Sequence, residues 1–263
     1  MRHLKIFFAY LGQLLKARME YRFDFLVDVT TTLLRQGVDL AFLAVLFTKI
    51  PRLAGWSFHE VVFIYGFFTL VFSLYNASFL SLIAVLAPRF ILQAELDRVL
   101  TRPLGSLYQV FLETLRPLDL NGAVLGGVLM GYAAVQLDLA WGWTEWALLL
   151  PLIAGAFLVY SGFFLALASV SFWSLDRSGI TPPFMTLSRF GQYPTTIYGP
   201  TLQTILSTAV PFAFIAFYPS TLLLGRAEFR LLGLLTPLVG AGIFALAVLV
   251  WRKALARYES AGS

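Results

Sequence analysis

Six long apolar runs, at residues 24–48, 61–87, 118–138, 146–173, 198–224 and 231–251, constrain this chain more than any short motif in it. A bilayer's hydrocarbon core takes about 20 helical residues to cross, so each run is long enough to span with some tilt. Backbone groups find no water at that depth, which leaves helices or a closed barrel, and long runs without polar alternation predict helices. The expected fold is therefore all-α and integral to the membrane, a single membrane-spanning domain over residues 1–263 with six transmembrane helices. Composition points the same way: only 13% of residues are charged, against about 25% in soluble domains. That excludes a soluble catalytic domain and a disordered chain, and with no cysteine there is no disulfide framework and no thiol nucleophile or ligand. The fifth run is the least regular. Pro200, Pro211 and Pro219 punctuate it, so a broken or re-entrant end over 211–224 is expected, its backbone satisfied by surrounding protein or water.

The net charge of +5 would suggest nucleic acid in a soluble protein, but its distribution reads as loop bias, and no nucleic-acid partner is expected. Residues 1–23, 88–117, 174–197 and the stretch after 251 hold five, four, two and three Lys or Arg, whereas the alternate loops hold only Lys49, Arg52, Arg226 and Arg230. Both termini are then cytoplasmic and the chain is a multi-pass protein of the inner (plasma) membrane. The six tryptophans support these boundaries: Trp56, Trp141, Trp143 and Trp146 fall at outer ends, Trp173 and Trp251 at inner ends. Residues 1–23 place Leu4, Phe7, Phe8, Leu11, Leu14 and Leu15 at helical spacing, as an amphipathic helix on the inner leaflet does. A signal peptide is the alternative, but no A-x-A site follows it.

Nucleotide chemistry within the chain is disfavoured, because none of the four lysines follows a glycine and a P-loop needs a Gly-Lys pair. Gly122, Gly126, Gly127 and Gly131 sit inside an apolar run, where they form two successive G-x-x-x-G pairs. Such pairs let another backbone approach closely, either within the subunit or at a subunit interface. His3 and His59 are the only histidines, so no metal site is expected, and no G-x-S-x-G nucleophile motif occurs. An intramembrane enzyme is correspondingly disfavoured.

Two constellations remain. Asp28, Arg35 and Asp39 in the first run fall within about 40° of one another on a helix. They form either a polar lining of a transport path or an internal lock in which Arg35 bridges two carboxylates. Between Pro88 and Pro117, Glu95, Asp97, Arg98 and Arg102 alternate with Leu92, Leu96, Val99 and Leu100, which predicts a short amphipathic helix ending before Pro103. It would dock a soluble partner or float at the headgroups.

The segment from Glu95 to Leu104, ELDRVLTRPL, resembles the E-x-D-x-x-L-x-R-P-L loop of bacterial type-two, exporter-like ABC transporter permeases. Arg189 to Pro194, Ile197-Tyr198, Pro211 to Phe214, Tyr218-Pro219, Leu224-Gly225 and the end from Tyr258 to Ser263 resemble that family's fifth-span region and tail. The resemblance implies a half-transporter with an amphipathic helix before the first span, a coupling helix between spans two and three, and a re-entrant hairpin between spans five and six. It also implies a second permease subunit, identical or similar, and two copies of a separate ATPase. Mg-ATP is then bound by the partner, with no cofactor in this chain, and Glu95, Asp97, Arg98 and Arg102 are the coupling residues. The path would include Tyr65, Phe68, Tyr75 and Asn76, with Gln203 from span five, a lining suited to amphiphilic or aromatic solutes. The rival from another class is an ion-coupled secondary transporter with Asp28 and Asp39 as its ion sites.

Overall fold

The computed structural model describes residues 22–174 and 181–258, without the side chains of Arg22 to Phe25, Asp28, Leu118 and Ser174. The expected interfacial helix therefore lies outside the described residues except for its last two positions, as does the tail after Tyr258. Among the described residues the structure is helical, with one isolated bridge between Leu53 and Trp56. Four helical stretches are long and apolar enough to cross a membrane: Val29–Lys49, Phe58–Ile91, Trp143–Trp173 and Ala227–Leu255. A fifth is added if the pair Pro200–Ser207 and Phe212–Leu223, bent by 73°, is one span.

Helix α1 (Arg22–Lys49) is 28 residues long and leaves most of its apolar side chains exposed, Leu43 being buried. Helix α2 (Phe58–Tyr75) begins at a capping box, in which the Ser57 hydroxyl and the Glu60 carboxylate each accept the other residue's backbone N–H. It continues through a π turn at Asn76–Leu80, helix α3 (Ser81–Val85) and a second π turn at Leu86–Ile91. The second run thus extends past its predicted end at 87, because the wider turn takes in Pro88, whose ring an α-helical turn would not accommodate without a kink.

The basic segment that follows holds α4 (Glu95–Leu100) and α5 (Ser106–Thr114), the second of which the sequence pattern did not predict. The third run gives a 3-10 turn at Pro117–Leu120 and α6 (Asn121–Gln136). At 16 residues α6 is about 24 Å long, short of the hydrocarbon thickness unless the preceding turn adds to it. Helix α7 (Trp143–Ser169) is followed by the short α8 (Ser171–Ser174), and α9 (Thr181–Ser188) leads into a 3-10 turn at Arg189–Gln192. Then come α10 (Pro200–Ser207), α11 (Phe217–Leu223) and α12 (Arg230–Leu255).

Two glycine contacts fix how the long helices meet. A Cβ on Gly126 of α6 would lie 2.6 Å from the Gly66 carbonyl oxygen, and one on Gly155 of α7 would lie 2.6 Å from Cα of Pro237 in α12. Only hydrogen fits at either place, so α6 lies on α2 and α12 on α7 at backbone distance. The break expected near Pro211 is present. The α-helix stops at Ser207 and resumes at Phe217 through turns and a 3-10 turn at Phe212–Phe214, and residues 212–218 are buried, as protein must cover irregular backbone at membrane depth.

The segment Leu53–Trp56 clamps this broken region. The Trp56 indole donates to the Thr196 hydroxyl at 2.7 Å, and Arg226 stacks on the Trp56 ring while its Nε donates to Glu60 at 2.9 Å. Trp141 donates to the Leu223 carbonyl at 3.1 Å. Tryptophans placed at span ends by sequence are thus also ties between the helices and the hairpin.

Candidate functional site: a polar groove and a charged loop

Arg35 and Asp39 lie one turn apart on α1, near the middle of a helix otherwise lined with exposed Leu33, Leu34, Val38 and Phe42. Both face α2 across a groove. The Tyr65 hydroxyl donates to Asp39 Oδ2 at 3.0 Å. Among the described residues Arg35 makes no ion pair, with Asp39 or any other acid. Asp28, the third member of the stripe, has a side chain outside the described residues.

Two adjoining cavities open along this groove. One, of about 210 Å³, is lined by Arg35, Gln36 and Asp39 of α1, Tyr65, Phe68, Thr69 and Phe72 of α2, and Met185, Thr186, Arg189 and Gln192 from the α9 region. The other, of about 190 Å³, shares Arg35, Gln36, Thr69 and Phe72 and adds Thr31, Thr32, Ser73, Asn76, Leu80, Asp119, Asn121 and Gly122. Its floor is ordered by Ser73, whose hydroxyl donates to the Asp119 carbonyl at 2.6 Å. Gln36 Oε1 and Asn76 Oδ1 are buried without a hydrogen-bond donor. Asn76 opens the π turn, and such turns commonly re-aim side chains at functional positions.

The structure thus brings together Arg35, Asp39, Tyr65, Phe68 and Asn76. Tyr75 lies elsewhere: it is buried against Tyr160, with ring centroids 4.4 Å apart, and lines neither cavity. Gln203 on α10 lines neither cavity as well. Met185, Thr186, Arg189 and Gln192 were missed as lining residues, and the only sequence signal for them was the basic residue within the Arg189 to Pro194 stretch.

The two glycine pairs of α6 part company. Gly122 and Gly126 face α2, while Gly127 and Gly131 meet nothing within 4 Å and border a third cavity of about 710 Å³ between α6 and α7. That cavity is open and mostly apolar, with Met130, Leu149 and Ile153 in its wall. An apolar cleft is in its preferred solvent against lipid, so size alone does not mark it as a site.

The second constellation is a small ion network. Arg89 Nε donates to Glu95 at 2.9 Å, and Arg98 donates to Glu113 at 2.8 Å, with Arg102 3.4 Å from the same carboxylate. Glu113, on α5, is the least exposed member at 11%, against 49% for Arg98. Hydrogen bonding by Arg89, with the charges of Arg89 and Arg98, holds the Glu95 carboxyl below its ordinary range against a desolvation that raises it. Leu96 and Val99 are buried beneath, and the Gln109 amide donates to the Val99 and Leu104 carbonyls at 3.0 and 2.8 Å. Helix α4 is therefore anchored by its apolar face and presents charge outward. Sequence reasoning missed Arg89 and Glu113, which lie outside the short motif.

A family model described as ABC-2 family transporter protein matches residues 33–262. No curated protein and no solved structure matches the chain.

Proposed function

The chain belongs to the ABC-2 transporter family, and on that premise we propose that it is one of two permease subunits of a transporter driven by a separate ATPase. It is a multi-pass membrane protein whose role is transport. In this reading six segments cross, the third by α6 with its preceding turn and the fifth by α10 with the bent hairpin. The termini and the segment bearing α4 lie in the cytoplasm, as the basic bias favours.

The observation that carries the proposal is the polar groove holding Arg35, Asp39, Tyr65 and Asn76 at mid-helix depth. An ionised side chain at the bilayer centre costs about 2.5–3.5 kcal/mol on the insertion scale, so the groove must face protein or water. A second permease laid against α1 and α2 would close it into a path. At the other site, two ATPase subunits that bind Mg-ATP would seat on Glu95, Asp97, Arg98 and Arg102. Closure of the ATPase pair on ATP then pushes α4, which is tied through Arg89 to the end of the second span, and shifts the permeases between inward-open and outward-open states. No group in this chain needs to perform hydrolysis. The solute class that such an aromatic and polar lining suits is amphiphilic, and its direction of travel is outward.

The experiment is reconstitution of the permease with its co-purifying ATPase in vesicles, with ATP supplied on the ATPase side and no ion gradient. Movement of an amphiphilic dye under ATP alone supports the proposal. Movement that needs a proton or sodium gradient and ignores ATP would favour Asp39 as an ion site instead.

A further inference from the structure

We propose that the groove between α1, α2 and the Arg189 turn selects anionic amphiphiles, binding an acidic headgroup between Arg35 and Arg189. This rests on the reading of the groove as the path and adds the sign of its ligand. Two guanidinium groups and one carboxylate line the cavity among the described residues. The carboxylate, Asp39, already accepts the Tyr65 hydroxyl at 3.0 Å. Neither arginine is in an ion pair with a described acid. Both arginines are exposed on the open side of a cavity walled by Phe68, Phe72 and Met185, so their guanidinium groups can meet an arriving anion beside an apolar surface.

Arginine is suited to this task. Its planar fork pairs with the two oxygens of a carboxylate or phosphate and is less strongly hydrated than an ammonium group. The adjoining cavity supplies the complement, because Gln36 Oε1 and Asn76 Oδ1 are buried acceptors without donors. A hydroxyl or N–H close to the acidic group would satisfy them. The aromatic wall takes the apolar body of the ligand. The ligand class is thus one acidic group with a neighbouring donor on an apolar or aromatic tail. Such a molecule could be a solute or a membrane lipid with an anionic headgroup.

The test uses the permease in nanodiscs of zwitterionic phosphatidylcholine, titrated with 11-(dansylamino)undecanoic acid and with its neutral amide. The acid is expected to bind about tenfold more tightly than the amide, the difference that one charge-assisted contact typically supplies. Arg35→Gln and Arg189→Gln should each bring that ratio towards one, while Arg35→Lys, which keeps the charge, should preserve most of it. Equal binding of acid and amide by the unaltered protein, or a ratio unchanged in both Gln variants, overturns the proposal. Repeating the titration with phosphatidylglycerol in the disc separates the sources: competition identifies a lipid headgroup, and its absence a free organic anion. ATP-driven transport is read separately. If ATP drives transport but no acid preference exists, the anion site fails and the permease reading stands. If the acid is selected but ATP moves nothing, the path reading fails and the anion site stands.

Discussion

The Tyr65 hydroxyl donates to Asp39 across 3.0 Å, joining α1 to α2 at the polar groove between them. Asp39 makes this bond and no ion pair with Arg35 among the described residues, so the two residues of one stripe do different things. Tyr65→Phe should destabilise the protein by about 1–3 kcal/mol, the cost of leaving a half-buried acceptor without its donor. Asp39→Asn added to Tyr65→Phe should recover part of that loss. A thermal melt of the two variants in detergent checks this, and an unchanged melting temperature in Tyr65→Phe would show that the bond carries no stability.

The glycine pairs of α6 give a second expectation. Gly126→Ala puts a methyl into the Gly66 backbone and should cost about 1–3 kcal/mol, as overpacking does. Gly131→Ala meets open space and should change stability by no more than about 0.5 kcal/mol. Melting temperatures of the purified variants distinguish the two. If Gly131→Ala is the worse of the pair, the free glycine edge is a packed interface in the assembled protein.

Much of this architecture was legible in the residues. Long apolar runs need only length and composition, so first, second, fourth and sixth runs correspond to helices within a few residues. The break at Pro211 was legible because proline removes a donor at a known place. Three things were not. A G-x-x-x-G pattern says that a backbone can approach but not which backbone, so only the structure divides Gly126 from Gly127. Tyr75 and Tyr65 look alike in sequence, yet one packs on Tyr160 and the other holds Asp39. The contribution of Arg189 and Gln192 to the groove is a contact between segments far apart in the chain, to which no local period points.

Orientation can be read directly because the chain has no cysteine. Single cysteines at Trp143, which is 92% exposed, and at Ala227 should react with an impermeant maleimide in intact cells. A cysteine at Gly105, whose α-carbon faces open space, should react only after permeabilisation. Labelling of position 105 in intact cells would place α4 outside and remove it from any ATPase.

The ion network around α4 sets a pH dependence with a definite sign. The folded-state pKa of Glu95 is lowered, chiefly by its hydrogen bond from Arg89. The stabilisation is therefore present above the ordinary carboxylate value of about 4.3 and is lost as pH falls through the lower folded-state value. Proteolysis at the α4–α5 loop should be flat from about pH 6 to 8 and rise only in acid. In Glu95→Gln that acid step should disappear, and a cleavage rate that changes near neutrality would mean another group controls the loop.

The central claim is that the charged face of α4 seats an ATPase, and association of the two subunits measures it most directly. The measurement is retention of the ATPase on tagged permease, for the unaltered chain and for Asp97→Ala and Arg102→Ala, each confirmed to fold in detergent. Truncating one member of a desolvated charge pair costs about 2–5 kcal/mol of association, so retention should fall by tens to thousands of times. ATP-driven transport should fall with it. Full retention and normal transport in both variants would contradict the account.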